Sequence, residues 1–439
     1  MKISNHLNIR DFQRIIIENE KVELDDSLIK RVNESFRFLK EFSKNKVIYG
    51  VNTGFGPMAQ FKINDQDTHQ LQYNLIRSHS SGIGNPLPPD EVKACMLARL
   101  NTLSLGHSGV HDSVVFLLRE LINRDVTPLI FEHGGVGASG DLVQLAHLAL
   151  VLIGEGEVFY KGERRSTKDV FETEGLQPIN VEIREGLALM NGTSVMSGIG
   201  IVNSHKANQL TDISIKLSCA INEIVQAYDD HFSESLNATK KHLGQQKVAE
   251  KMRAYLSDSK LIRKREDHLY TSFDEQDKVF KEKVQEYYSL RCVPQILGPV
   301  LDTLEYTEEV LENEINSAND NPIINVEDQH VYHGGNFHGD YISLEMDKLK
   351  IVVTKLTMLA ERQLNYLLNA KINEIFPPFV NLGKLGFNFG MQGVQFTATS
   401  TTAESQMLSN PMYVHSIPNN NDNQDIVSMG TNAAVICRK

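Results

Sequence analysis

The sequence predicts a mainly α-helical protein, a bundle of long helices with a loop-rich region in its N-terminal part. Apolar residues recur at helical spacing, the second half of the chain carries long helical patterns, and loops rich in glycine and asparagine interrupt them. With 439 residues the chain is long enough for more than one domain. We divide it into a loop-rich domain over 1–193 and a helical bundle over 194–439.

The periodicity predicts two helices in the first third of the chain and three longer ones after it. One helical face within residues 25–42 is formed by Leu28, Val32, Phe36, Leu39 and Phe42. Another, within 112–125, is formed by Val115, Leu118, Leu121 and Ile122. The longer patterns cover 194–231, 281–316 and 340–376, the last without proline or glycine before Pro377. Helices of this length usually pack side by side, often across subunits.

Composition excludes several classes of partner. The formal net charge is -12, and the one dense basic run, at 259–267, also contains acids, so no nucleic-acid surface is predicted. No window approaches 18 consecutive apolar residues, so we expect no membrane span. The four cysteines are widely spaced and the N-terminus does not resemble a secretory signal. Both features favour a cytoplasmic protein with reduced thiols.

Five loops rich in glycine or asparagine interrupt the helices, at 49–58, 78–86, 132–141, 317–340 and 415–425. Functional residues tend to lie on loops that a rigid scaffold holds. We therefore expect these five loops, far apart in sequence, to converge on one site.

The third loop, "EHGGVGASGD", matches parts of three glycine-loop motifs. Asp141 stands where a phosphate loop requires lysine and where a nucleophile elbow requires its second glycine. The spacing of a dinucleotide fingerprint is present, but the surroundings predict helix, and we expect no strand before the loop. A plain helix start, capped by Ser139 or Asp141, remains an alternative.

Three small residues in a row, Ala138, Ser139 and Gly140, allow a different chemistry. With so little side chain, the Gly140 nitrogen can approach the Ala138 carbonyl carbon, close a five-membered ring and lose water. Loss of the Ser139 hydroxyl as a second water leaves an exocyclic methylidene. No ordinary side chain supplies such an electrophile.

This loop resembles the cofactor-forming motif of the aromatic amino acid ammonia-lyases, which carry a 4-methylideneimidazole-5-one (MIO) group. Further segments resemble the family in the same order between residues 49 and 430: "YGVNTGFG", "LQYNLIRSHSSG", "NGTS", "QEYYSLRCVPQ", "NSANDNP", "GGNFHGD" and "NNDNQDIVSMG". The sequences of these motifs are especially similar to those of bacterial tyrosine ammonia-lyases of the flavobacterial type. The resemblance implies a fumarase/aspartase-like architecture and a homotetramer whose active sites are shared between subunits, with no metal or diffusible cofactor.

The resemblance also implies roles for individual residues. Ala138, Ser139 and Gly140 form the MIO group, and Tyr49 removes the β-proton of the substrate. Support for the MIO carbonyl and the substrate amine comes from Asn191 and Tyr288. The remaining implied residues contact the substrate: Arg291 holds the carboxylate with its planar fork, and the pocket neighbours are His79, Gln285, Phe337, Asn423 and Gln424.

The implied reaction is the non-oxidative elimination of ammonia from an L-aromatic amino acid, giving a trans-arylacrylate. The Ser-His pair at His79 is similar to histidine ammonia-lyases, which give urocanate, but "NQDIVSMG" lacks the Gln-Glu pair of those enzymes. A polar His79 in an apolar pocket offers a phenol hydroxyl a hydrogen-bond partner. The ranking is therefore tyrosine, giving 4-coumarate, then histidine, with phenylalanine as a side activity. An aminomutase that returns the ammonia to the β-carbon is a further alternative.

Two other hypotheses about the function remain open. The chain ends nine residues after Gly430, where the family continues through another helical segment, so a truncated, inactive homologue is one expectation. A metal hydrolase using His333, His338 and Asp340 is the other, although "HGGNFHGD" has no established ligand spacing.

Overall fold

The computed structural model describes residues 1–3, 6–64, 66–271, 278–280 and 282–439, and these residues are mainly helical, which confirms the predicted fold class. The α-helices are α1 (Ile9–Ile16), α2 (Asp26–Phe42), α3 (Thr68–His79), α4 (Pro89–Ser104), α5 (Asp112–Asn123), α6 (Leu142–Leu152), α7 (Thr167–Glu174), α8 (Glu185–Met190), α9 (Ser194–Ile224), α10 (Glu234–Ala238), α11 (Leu243–Tyr255), α12 (Arg265–His268), α13 (Tyr288–Arg291), α14 (Val293–Ile315), α15 (Asp340–Leu368), α16 (Ala370–Asn373), α17 (Gln392–Leu408) and α18 (Gly430–Arg438).

The strands are short and form four small sheets. They are β1 (Lys2–Ile3), β2 (Glu23–Leu24), β3 (Ile83–Pro86), β4 (Thr127–Pro128), β5 (Phe131–His133), β6 (Glu157–Tyr160), β7 (Glu163–Ser166), β8 (Ile323–Asn325) and β9 (His330–Tyr332). β1 pairs with β2 in parallel. The other pairings, β3 with β5, β4 with β6, β6 with β7 and β8 with β9, are antiparallel.

Two predicted helices lie where the periodicity placed them. α2 begins at Asp26 because the Asp25 carboxylate accepts a hydrogen bond from the Ser27 amide, which caps the helix. Four of its five predicted apolar residues are buried, and Phe42 is half-buried at the helix end. In α5 all four predicted apolar residues are buried.

The three long helical predictions were too long. α9 ends at Ile224 because Gln226 takes a left-handed conformation (φ 54°), as at many helix ends. Residues 282–287 are not helical, residue 281 lies outside the described ranges, and α14 starts only at Val293. α15 ends at Leu368 because the Asn369 side chain accepts from the Lys371 amide and starts the short α16.

The chain divides into two compact units. Unit 1 comprises 1–203, 307–347 and 411–439, and unit 2 comprises 204–306 and 348–410. This division differs from domains split at 193/194, because two later segments of the chain pack with the N-terminal part. The separation into domains 1–193 and 194–439 therefore stays a prediction.

In unit 1, α4 forms a central helix that is buried on all sides from Glu91 to Ser104. Three other helices, α3, α6 and α8, pack against one another. Their arrangement matters because α3 ends at His79, α6 begins just after the glycine loop and α8 ends beside Asn191. Packing of these helices thus fixes three separate parts of the chain at one place.

The glycine loop at 134–140 leaves β5 directly, which corrects the expectation that no strand precedes it. β5 is only three residues long and pairs antiparallel with β3, so it belongs to a two-stranded ribbon. A dinucleotide-binding loop requires a parallel βαβ unit, and this ribbon is not one.

In unit 2, the short α13 is held between two long helices. The Asn222 amide on α9 donates to the Leu290 carbonyl (3.3 Å), and the Gln363 amide on α15 donates to the Ser289 carbonyl (2.9 Å). Leu290 and Tyr366 belong to one buried apolar cluster. These contacts fix the orientation of the residues on either side of Leu290. Within the described ranges, no helix has the length and apolar character needed to span a bilayer.

Candidate active site

A cavity of about 680 Å³ in unit 1 collects most of the residues singled out from the sequence. A volume of this size is typical of small-molecule sites. The predicted residues that line it are Tyr49, His79, Ala138, Ser139, Asn191, Phe337, Asn423 and Gln424. Asn191 follows α8, and the other seven come from all five glycine- and asparagine-rich loops, so the expected convergence of the loops occurs.

The turn at 137–140 is tightly enclosed. Ser139 and Gly140 both have positive φ (53° and 77°), and a backbone bridge connects Gly137 with Gly140. A β-carbon on Gly140 would overlap the Gly192 carbonyl, and one on Gly137 would overlap the Ser428 hydroxyl. Glycine is therefore required at both ends, because only glycine fits the conformation and the space.

Both oxygens of Ser139 are held by side-chain amides. Asn191 Nδ2 donates to the Ser139 carbonyl oxygen (3.0 Å), and Gln424 Nε2 donates to its hydroxyl (2.9 Å). Asn191 is buried, and its Oδ1 has no hydrogen-bond partner within the described part of the chain. The backbone of Asn191 is itself held in place, because the buried Arg99 guanidinium donates to the Asn191 carbonyl (2.9 Å) and to the Ala188 carbonyl.

Asp141 does not cap its own helix, which corrects the sequence-based alternative of a plain helix start. Neither Ser139 nor Asp141 makes a side-chain cap on α6. The Asp141 carboxylate instead accepts from the Val195 and Met196 amides at the start of α9 (2.8 and 3.0 Å). Burial raises the pKa of Asp141 to about 6, although these hydrogen bonds oppose the shift.

Tyr49 points its phenol into a loop of its own chain segment. The Gly56 amide donates to Tyr49 Oη (3.1 Å), and the Phe55 ring packs edge-on against the Tyr49 ring at 6.1 Å. The buried Gln72 on α3 fixes the loop by donating to the Gly50 carbonyl (3.1 Å). The Tyr49 oxygen therefore accepts a hydrogen bond from the backbone of its own loop.

The hydrogen bonds of His79 define which ring nitrogen is free. His79 Nδ1 lies 3.0 Å from the Leu75 carbonyl, which can only accept, so Nδ1 carries the hydrogen of the neutral ring. Ser78 Oγ, also 3.0 Å from Nδ1, donates its own hydrogen to the same carbonyl. The other nitrogen, Nε2, therefore has its lone pair available as a hydrogen-bond acceptor.

The remaining predicted residues, Gln285, Tyr288 and Arg291, lie in unit 2, where they line a cavity of about 950 Å³. The Arg291 guanidinium stacks over the Tyr288 ring at 4.8 Å. When the Gln285 amide is oriented with its oxygen toward Arg291, that oxygen accepts from both Nη atoms. Arg291 is thus held in place by its two predicted neighbours.

Comparisons with known proteins identify the family. A sequence profile of the aromatic amino acid lyases matches residues 7–439. The chain belongs to this family of MIO-dependent enzymes. It is 42% identical to a tyrosine 2,3-aminomutase from Chondromyces crocatus, an alignment that covers 99% of this chain and 83% of the relative. It is 40% identical to a histidine ammonia-lyase from Caldanaerobacter subterraneus subsp. tengcongensis, over 98% and 82%.

The solved structures that it resembles have the same fold. The phenylalanine aminomutase of Pantoea agglomerans superposes with a TM-score of 0.96 at 34% identity, covering all of this chain and 86% of that chain. Members of this family are ammonia-lyases and aminomutases that act on amino acids.

The sequence motifs of this lyase-family chain did not predict several of the residues that line the cavity. Leu75, Leu142 and Leu187 form apolar walls, and Gly56 contributes the amide that faces Tyr49. Leu75 could have been found, because it lies four residues before His79 on one face of α3. Arg99 carries no signal in sequence, since its role depends on α4 packing beside residues 188–191.

The metal-hydrolase alternative has no support in the described ranges. Three or more His, Cys, Asp or Glu side chains do not come together there in an arrangement that would hold a metal ion. His338 Nδ1 lies 3.4 Å from Asp340 Oδ2, and His333 lines the cavity without joining them.

Proposed function

We propose that this chain deaminates L-tyrosine without oxidation, releasing ammonia and trans-4-coumarate, and that Ala138, Ser139 and Gly140 form its MIO group. One observation carries the proposal. The tight turn at Ser139, Tyr49 and His79 all line a single cavity of suitable size.

The surroundings of Ser139 fit the MIO group. The turn places glycines where any side chain would clash, and the Gln424 amide donates to the hydroxyl that must leave as water. Once formed, the group would supply an electrophilic methylidene carbon, the chemistry needed to turn the substrate amine into a better leaving group. Asn191 Nδ2 donates to the Ser139 carbonyl, a donor fixed in advance where negative charge develops.

Asn191 and Tyr49 complete the chemistry that this chain supplies. The unpartnered Asn191 Oδ1 is an acceptor for the substrate ammonium group. Tyr49, as its phenolate, takes the β-proton of the substrate as general base, and the Gly56 amide donates to the oxygen that gives up its negative charge in this step. Both side chains are held by neighbours before substrate arrives, which lowers the cost of orienting them.

His79 supports tyrosine as the substrate. Its Nε2 accepts a hydrogen bond, and a phenol hydroxyl donates one, so the two groups complement each other. Leu75 and Leu142 provide apolar surface for the ring beside it. Phenylalanine fills the same space but leaves Nε2 unpaired, which costs binding energy.

We infer that the carboxylate site comes from another subunit of a homotetramer. No Arg or Lys is among the residues that line the unit 1 cavity, while Arg291 in unit 2 is held by Gln285 and Tyr288 in a form suited to a carboxylate. The unit 2 part of α9 supports association, because an apolar stripe on it is about half exposed: Leu210, Ile213, Leu217 and Ile224. A cytoplasmic location fits the four cysteines, which form no disulfide.

An aminomutase is the second candidate, favoured by the tyrosine 2,3-aminomutase relative. In that reaction ammonia eliminated from the α-carbon adds back to the β-carbon before it escapes. The same residues of this chain would serve both reactions. The products distinguish them, because only the mutase yields a β-amino acid.

The test combines mass spectrometry with product analysis. The intact chain should be lighter than its sequence mass by two waters, and a Ser139→Ala variant should not be; an unmodified wild-type chain would refute MIO formation. L-tyrosine, L-histidine and L-phenylalanine are then supplied separately, and the ultraviolet absorbance of each conjugated acid is followed. Urocanate from histidine as the main product, or β-tyrosine in place of 4-coumarate, would reject tyrosine deamination.

A further inference from the structure

We infer that Thr431 is a positioning residue for ring closure, holding the 135–141 turn in the shape that brings the Gly140 nitrogen to the Ala138 carbonyl. The inference rests on the proposed MIO chemistry and concerns a residue outside the turn itself. Thr431 is the second residue of α18 and is almost completely buried, at 1% exposure.

The Thr431 side chain spans the base of the turn. Its hydroxyl donates to Asp141 Oδ1 (2.7 Å), at the C-terminal end of the turn, where the chain continues from Gly140 into α6. Its Oγ1 and Cγ2 lie 2.9 and 3.1 Å from where a β-carbon on Gly135 would stand, at the other end. One side chain therefore fixes the separation between the two ends of the turn.

Asp141 transmits this contact to Gly140. Its Oδ2 is held by the amides of Val195 and Met196, and its own amide donates to the Gly192 carbonyl (2.8 Å). Among the described residues, Thr431 is the hydrogen-bond donor to Asp141 Oδ1. Without it, one oxygen of a buried carboxylate loses its partner, which favours movement of the residue directly attached to Gly140.

The rest of α18 and the residue before it hold the same stretch of chain. The Met429 amide donates to the Val136 carbonyl (3.0 Å). Arg438, at the far end of the helix, donates to Glu132 Oε2 (2.8 Å) on β5. Contacts at 132, 136 and 141 therefore make this segment a clamp over the whole loop, with Thr431 nearest to the reacting atoms.

Ring closure depends mainly on the geometry of the turn, because all the reacting atoms belong to Ala138, Ser139 and Gly140. The bond between Gly140 N and Ala138 C forms, and the Ala138 oxygen leaves as water with the hydrogens of the Gly140 and Ser139 amides. The Ser139 hydroxyl leaves as a second water with the Ser139 α-hydrogen. An amide nitrogen is a weak nucleophile, so the rate depends on how long the turn stays in a near-attack geometry.

The experiment compares two substitutions of one side chain. Thr431→Val keeps the shape but removes the hydroxyl, whereas Thr431→Ser keeps the hydroxyl. Each full-length chain is made by cell-free synthesis, and intact mass is followed over time to give the rate at which chains lighter by two waters appear. We expect this rate to fall on the order of tenfold in Thr431→Val and to stay near wild type in Thr431→Ser.

A control separates positioning from loss of stability. Val435→Ala weakens the packing of α18 at another buried residue, and the melting temperature of every variant is measured. The inference is overturned if Thr431→Val cyclises as fast as Thr431→Ser, or if Val435→Ala slows cyclisation equally at a matched loss of melting temperature. A wild-type chain that never loses the two waters would refute the proposed function itself, which is a distinct result.

Discussion

Replacing His79 by phenylalanine tests the assignment of tyrosine most directly. The substitution removes the Nε2 acceptor while keeping an aromatic ring at the end of α3. One hydrogen bond to a neutral, half-buried group is worth about 1 to 2 kcal/mol. The ratio of kcat/KM for tyrosine over phenylalanine should therefore fall about 5- to 30-fold, mostly because phenylalanine is used better.

The assay measures initial rates of 4-coumarate and cinnamate formation by absorbance with each amino acid alone. His133→Phe provides a matched control, because His133 is an exposed histidine on β5 that does not line the cavity. Intact mass shows whether the variants still lose two waters. A ratio unchanged in His79→Phe, or changed equally in His133→Phe, would refute the role given to His79.

Three further predictions concern the catalytic rate, the carboxylate site and pH. Asn191→Ala should lower kcat for tyrosine by about 10²- to 10³-fold in chains that still carry the mass loss, since a donor at the Ser139 carbonyl is lost; a change confined to KM would contradict this. Arg291→Lys should raise KM for tyrosine about tenfold by removing the planar fork, and an unchanged KM would argue against carboxylate binding. Burial raises the pKa of Glu185 to about 7 from 4.5, so between those pH values the folded chain holds a proton that the unfolded chain releases. Stability should therefore fall by about 3 kcal/mol as pH rises from 4.5 to 7, and Glu185→Gln should lose this dependence; parallel melting-temperature profiles for the two proteins would count against it.

The sequence predicted well those parts of the fold that local patterns determine. The apolar faces of α2 and α5 are read directly from residue spacing, and Asp25 is an ordinary cap. The ends of the long helices were missed because they depend on single conformations, such as the left-handed Gln226, or on a side chain that starts a new helix, as Asn369 does. Periodicity carries no information about such points.

The candidate site shows the same limit. Motifs placed Tyr49, Ser139 and Asn191 in one chemistry, and the unit 1 cavity brings them together. They gave no reason to expect that Asp141 would cap α9 in place of α6, because that contact joins segments about 50 residues apart. Thr431 was missed for the same reason, since its partner lies almost 300 residues earlier in the chain.

The way His79 is held bears on how such an enzyme diversifies. Its ring is supported by Leu75 of the same helix, whereas Asn191 and the turn at Ser139 are supported by α4, α9 and α18. Under the proposed roles, we therefore expect a mutation at position 79 to alter which substrate is recognised without disturbing the residues proposed to carry out the reaction. On the same proposal, we expect the substrate range to change through single substitutions, whereas a change in the turn at Ser139 would require changes in several distant partners as well.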